Sequence, residues 1–183
     1  YVATLAERLR FYEYKAVVGV HGAIYARHAR SYFDRCVFWY IKTLEYDIPV
    51  SVLGTGTVAF HTGAVKPGMQ DLDQDCMADL LFARLLKERQ IPAVALSRKE
   101  DWLQGIKEAK QRHQNIYQQT LTRSQAYDAL ICSLAPWGFE AIIHRVEASG
   151  LKSCFSQPAL DFLDHGQGIE NRVQVPVRRN SVS

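Results

Sequence analysis

The stretch MADLLFARLLKERQIPAVALS, residues 77–97, limits the possible folds more than any other part of the chain. Met77, Leu81 and Leu85 recur four apart with Ala78, Phe82 and Leu86 beside them, the apolar face of a helix over residues 75–89. Lys87 and Arg89 lie at its C-terminal end, where the helix dipole favours cations. Ile91-Pro92 ends that helix, and AVALS (93–97) follows as a continuously apolar strand. A second such strand, AVVGV (16–20), stops at His21-Gly22, after a helical pattern over residues 2–14 that aligns Leu5, Leu9 and Tyr12. VSVLGTGTVAFHTGAV (50–65) adds two small strands on either side of Gly54-Thr55-Gly56. Strand, helix and strand at this spacing form a β-α-β element, so the expected class is α/β.

The remaining segments are less regular. Residues 23–49 are rich in aromatics (Tyr25, Tyr32, Phe33, Phe38, Trp39, Tyr40) and read as an irregular segment with one short helix. Residues 104–134 read as two helical pieces broken around TLTRS, with Thr122 or Ser124 capping the second. Its apolar stripe is Ala126, Leu130, Ile131 and Leu134. Beyond residue 156 the composition changes, and GQGIENRVQVPVRRNSVS (166–183) has little to bury. The expected organisation is one domain over residues 1–155 and a flexible tail over 156–183.

Composition excludes several function classes. With 183 residues, 48% of them hydrophobic and 22% charged, the chain can bury a full core and is too apolar to be disordered. A net charge of +3 spread along the sequence argues against a nucleic-acid partner and suits an anionic ligand such as a nucleotide diphosphate. No apolar run reaches the ~18 residues of a membrane helix. Cys36, Cys76, Cys132 and Cys154 stand apart with no C-x-x-C pair, as reduced thiols of a cytoplasmic protein do.

Four aspartates fall within DLDQDCMAD, residues 71–79. Asp71, Asp73 and Asp75 imitate the start of a calcium loop, but Cys76 replaces the required glycine and Phe82 the required bidentate glutamate. These three are expected to satisfy the open N–H groups and dipole at the helix start. Asp79 differs: it lies one turn into the helix, at the end facing the strand edges where ligands of open α/β sheets bind. A carboxylate there can accept a proton.

Taken in order, AVVGVHG, VLGTGTVAFH and CMADLLFARLLKERQIPAVALSRKEDWL (76–103) resemble the C-terminal half of bacterial family 2 glycosyltransferases with the GT-A fold. The resemblance spans about residues 1–135 and is strongest over 50–103. It implies a GT-A-like mixed sheet with flanking helices, of which this chain is the C-terminal, acceptor-side portion. It also implies an inverting transfer of a sugar from a nucleotide-sugar to a saccharide acceptor in cell-surface polysaccharide synthesis. By the same resemblance Asp79 is the general base, Gly54, Thr55, Gly56 and Trp102 shape the acceptor site, and Arg98 and Lys99 face the donor diphosphate. A divalent metal, Mn or Mg, would be held mainly by a nucleotide-binding half with its D-x-D motif, expected ahead of residue 1 or on a partner subunit. Asp71-x-Asp73 spells that motif on the wrong side of the G-T-G turn. Cys76 stands where such proteins often carry a polar amide residue. The cytoplasm, with peripheral association at the inner face of the membrane, is the implied location.

Each motif has a plainer alternative. A G-T-G triplet more often makes a tight turn than a sugar site. Trp102 reads equally as a core aromatic or a lid, and Arg98-Lys99 alone reads as solvated charge. The competing function is a non-catalytic, glycosyltransferase-like module that binds a sugar or a partner protein through the aromatic segment at 32–40.

Overall fold

The computed structural model describes residues 1–68, 78–104 and 124–165. The chain is mixed α/β: two small sheets are flanked by helices. The first sheet is built on a parallel pair, β1 (Val17–Gly19) and β7 (Ala93–Ala95), in register Val17 to Ala93, Val18 to Val94 and Gly19 to Ala95. Antiparallel strands close both sides, β4 (Ile48–Val50) on β7 and β6 (Val58–Ala59) on β1. The second sheet is antiparallel throughout: β2 (Gly22–Tyr25) lies between β3 (Arg35–Phe38) and β5 (Val52–Leu53).

The central pair is apolar on both faces because helices cover both. Val17, Ala93 and Ala95 face Phe82, Leu85 and Leu86 of α2 (Ala78–Glu88) together with Phe139 and Ile142 of α4 (Gly138–Ala148). Val18 and Val94 face the other way, onto Leu5 and Leu9 of α1 (Val2–Phe11), Leu151 and Phe155. This alternation of a doubly covered strand explains why AVVGV and AVALS read as unbroken apolar runs. A third cluster joins Tyr25 and Val52 of the second sheet to Leu80 and Ala83 of α2. It also takes in Tyr127 and Ile131 of α3 (Ser124–Ser133).

Several expectations change at this level. The first helix stops at Phe11 rather than residue 14, because Glu13 and Tyr14 turn left-handed (φ 52° and 59°) and the Tyr14 N–H bonds back to the Leu9 carbonyl. Residues 23–49 hold no helix; they contribute the β2–β3 hairpin and β4. Its strands escape a period-2 reading because β2 is buried at every position and β3 half-buried at every position. The strands flanking Gly54-Thr55-Gly56 exist but belong to different sheets. The stretch assigned to a tail from residue 156 includes α5 (Gln157–His165), whose Ala159 and Leu163 are buried against the core. Asp71, Asp73, Asp75 and Cys76, the first helical piece after residue 104, and residues 166–183 lie outside the described residues. Among the described residues no single helix is long and apolar enough to cross a membrane.

A buried polar tie links the first helix to the sheet. The fully buried Tyr12 donates its hydroxyl to Asp47 Oδ2 (2.8 Å), and the other oxygen of Asp47 accepts the Ser97 N–H (2.7 Å). Arg8 lies 3.8 Å from the same carboxylate. Removing it strands two donors in a poorly solvated place, at about 1–3 kcal/mol for each. Asp47→Ala is therefore expected to lower unfolding free energy by about 2–4 kcal/mol and Tyr12→Phe by about 1 kcal/mol, read from urea titrations.

Candidate functional site

Two chain segments cross from the first sheet to the second, and the candidate site lies where they do. β1 passes into β2 through Val20 and His21, while β4 passes into β5 through Ser51. Just beyond β5, Gly54 donates its N–H to the His21 carbonyl (2.9 Å), and Thr55–Thr57 form one 3-10 turn leading into β6. That turn packs against α2, whose first turn carries Asp79. The G-T-G segment and Asp79 thus lie on adjoining elements, and Asp79 itself is within electrostatic reach of Arg35 and Tyr25.

The two glycines of that segment are not equivalent. A Cβ built on Gly54 would fall 2.8 Å from the His21 ring, whereas nothing lies within 4 Å of one built on Gly56. Gly54 is thus a close-approach glycine that makes room for an imidazole, a constraint that the spacing alone does not reveal.

His21 and Arg35 are central to the site and were not singled out as functional from sequence. The His21 ring sits 5.2 Å from Trp39 and 6.2 Å from Tyr40, and its buried Nδ1 has no hydrogen-bond partner among the described residues. Burial, reinforced by the positive charges of Arg35 and Arg98, pushes its pKa down to about 4, so the ring is neutral at pH 7. Arg35 lies against the Tyr32 face at 3.6 Å and donates to the Tyr25 hydroxyl (3.1 Å). Its charge also reaches Asp79. Burial raises the Asp79 pKa above the usual carboxylate range, against the lowering effect of its own backbone N–H and of Arg35. The available signals were a histidine interrupting an apolar strand and an arginine between aromatics.

The remaining expected site residues form the rim beside Trp39. Arg98 is buried, and its guanidinium points inward rather than into solvent. Nη1 donates to the Leu96 carbonyl (2.8 Å) and Nη2 to the carbonyls of Phe38 (3.2 Å) and Trp39 (2.7 Å). Its backbone exchanges two hydrogen bonds with Leu44. Arg98 therefore clamps the end of β3 beneath Trp39, while Lys99 is exposed. Trp102 is 39% exposed and its ring lies 5.8 Å from Tyr1. The Asp101 N–H bonds to the Ile41 carbonyl, and Lys42 pairs with Glu100 (2.7 Å), so residues 98–102 run along residues 39–44. Trp102, Trp39, His21, Gly54 and Asp79 are thus joined by a continuous chain of neighbouring elements. Among the described residues, no three His, Cys, Asp or Glu side chains are grouped to hold a metal ion. The chain matches no family model and no curated protein.

Two outcomes check this geometry. Gly54→Ala is expected to cost about 1–3 kcal/mol of stability, because neither the ring nor the turn can yield freely, whereas Gly56→Ala should stay within about 0.5 kcal/mol of wild type. In a His21→Ala background most of the Gly54→Ala penalty should vanish, which a double-mutant cycle measures. His21 also imposes a pH dependence. Its folded pKa lies below its unfolded value, so the unfolded chain takes up the proton first and stability falls as pH drops from 6.5 toward about 4. Unfolding curves for wild type and His21→Gln should separate over that window and run parallel above it.

Proposed function

We propose that this chain is the acceptor-side half of a GT-A-fold, family 2 glycosyltransferase that moves a sugar with inversion from a nucleotide-sugar to a saccharide acceptor. The observation carrying the reading is Asp79: a partly shielded carboxylate with a raised pKa, in the first turn of α2, the helix that packs on the Thr55–Thr57 turn. In such a transfer the acceptor hydroxyl oxygen bonds to the anomeric carbon while the bond from that carbon to the diphosphate oxygen breaks. The hydroxyl proton passes to the carboxylate, and the nucleoside diphosphate leaves. A raised pKa suits the acceptance of that proton better than an ordinary surface aspartate would.

The half-exposed indoles of Trp39 and Trp102 suit the flat apolar faces of sugar rings. Lys99 is exposed and offers a cation to a departing diphosphate, while Arg98 acts through the strand end it holds. The described residues do not fit a divalent metal. The Mn or Mg that this chemistry uses, with the nucleotide-binding half or partner subunit that holds it, belongs outside them in this reading. A role in cell-surface polysaccharide synthesis, at the cytoplasmic face of the membrane, follows from the same resemblance. The inward turn of Arg98 and the exposure of Phe33, Trp39 and Ile41 favour a second reading, a non-catalytic module that binds a sugar or protein through that rim.

Turnover separates the two readings. With the full-length protein, a panel of nucleotide-sugars and saccharide acceptors, Asp79→Asn should reduce kcat at least ~100-fold. The folded state disfavours the Asp79 charge, so the variant should be as stable as wild type or slightly more so. Turnover that survives the substitution would remove Asp79 as the base, and saccharide binding with no turnover under any donor would leave the binding module.

A further inference from the structure

A second cleft, of about 180 Å³, opens at the other end of α2. Asp79 and Lys87 are eight residues apart on that helix, about 12 Å along its axis, so this cleft is distinct from the acceptor site. Its walls include Ser51, Lys87, Gln90, Gly138, His144 and Arg145, and no carboxylate is among them. The space is many times the roughly 10–15 Å³ that admits one water.

The charge on these walls is unbalanced. Arg145 is 5% exposed and gives two N–H groups to the carbonyls of Ala141 and Val50, both at 3.3 Å. Burial lowers its pKa to about 10, which leaves it cationic at neutral pH. Lys87 donates to the carbonyls of Leu134 and Pro136, and its pKa is lowered by burial and then by the nearby Arg145 charge. Among the described residues neither cation forms an ion pair with a carboxylate. The eleven-residue helix α4 begins here without a side-chain cap; the carboxylate of its first turn, Glu140, is exposed, pairs with Arg27 at 2.9 Å and does not line the cleft, so the positive dipole end adds to the same sign. Ser51 accepts the Tyr25 N–H at 3.2 Å, which leaves its own hydroxyl proton to donate. Uncompensated buried charge is costly, and a bound counter-ion is the ordinary remedy.

We propose that this cleft binds a phosphate-class oxoanion, held by Lys87 and Arg145 and by donors from Ser51 and the start of α4. Two cations match the divalent charge, and donors from three elements suit a tetrahedral acceptor better than a planar carboxylate. The occupant is free phosphate or the phosphoryl group of a small monoester. The site stands whether or not the glycosyltransferase reading holds, because none of its residues serves that reaction.

The test is an NMR titration of the ¹⁵N-labelled chain with inorganic phosphate, with sodium chloride holding ionic strength constant. Saturable shifts at the Gly138 and Phe139 amides are expected in wild type. Lys87→Met should weaken binding at least about fivefold, and so should Gln90→Glu, which places a negative charge on the exposed rim without touching the core. A parallel titration with a nucleoside monophosphate distinguishes the sources: tighter binding assigns the cleft to an esterified phosphoryl group, weaker binding to the free ion. Shifts that do not saturate, that chloride reproduces, or that persist unchanged in Gln90→Glu would overturn the proposal.

Discussion

The parallel pairing of β1 with β7 is the constraint on which the rest of the molecule depends. Each strand offers three fully buried positions; Ala93 and Ala95 let α2 and α4 approach, and Gly19 lets the Thr57 carbonyl and Leu53 approach. One face seats α2 and α4, and the other seats α1 and Leu151–Phe155. A polar or bulky residue at any of these positions would open both faces, since a strand covered on both sides has no solvent edge to accept it. The two parallel strands are also far apart in sequence, and between them the chain makes an excursion that adds β4 and β6 to the first sheet on its way. That excursion builds the second sheet and carries the candidate site.

The excursion leaves the first sheet at His21 and re-enters the second at Ser51, and these two breaks do different work. At His21 the chain bends with its carbonyl held by Gly54 and its ring pressed against the place where a Gly54 side chain would stand. At Ser51 the bend is held by backbone: its N–H bonds to Ala23 and its hydroxyl accepts from Tyr25. One crossing therefore sets the His21 ring against Gly54 and Trp39, next to the turn that packs on α2, and the other lines the cationic cleft. Both candidate sites are consequences of a sheet-to-sheet switch, where backbone ladders end and polar groups become available.

The parts legible in the sequence are those fixed by local periodicity. The α2 helix, the apolar runs that become β1 and β7, and the turn at Gly54-Thr55-Gly56 all follow from spacing within fifteen residues. What could not be read depends on partners far along the chain. β5 and β6 look like one hairpin, yet Val52 pairs with Ala23 and Val58 with Gly19. The hairpin of β2 and β3 was hidden by Arg35 and Cys36, whose side chains find a half-buried place only because Tyr25 and Tyr32 surround the guanidinium. Arg98 reads as surface charge until the carbonyls of Phe38 and Trp39 are seen to receive it. In α5, the Ala159 and Leu163 spacing is helical, but the polar residues around it masked a stretch that the core needs.

Asp79 reads from the sequence as a candidate base, but its electrostatic setting does not: burial raises its pKa, and its own backbone N–H and then Arg35, on a strand the sequence does not reveal, oppose that rise. Arg35 acts on two titratable groups at once. It opposes the burial that raises the Asp79 pKa, and it joins burial in lowering that of His21. The first effect favours Asp79 as a carboxylate able to accept a proton; the second keeps the imidazole from adding another positive charge beside the half-buried Arg35 and the buried Arg98. Burial alone would drive Asp79 further toward its neutral acid, and a charged His21 would be repelled by both guanidiniums. The side-chain geometry that fixes Arg35, its stacking on Tyr32 and its hydrogen bond to Tyr25, therefore also places a charge that acts on both Asp79 and His21, with burial the larger influence on each.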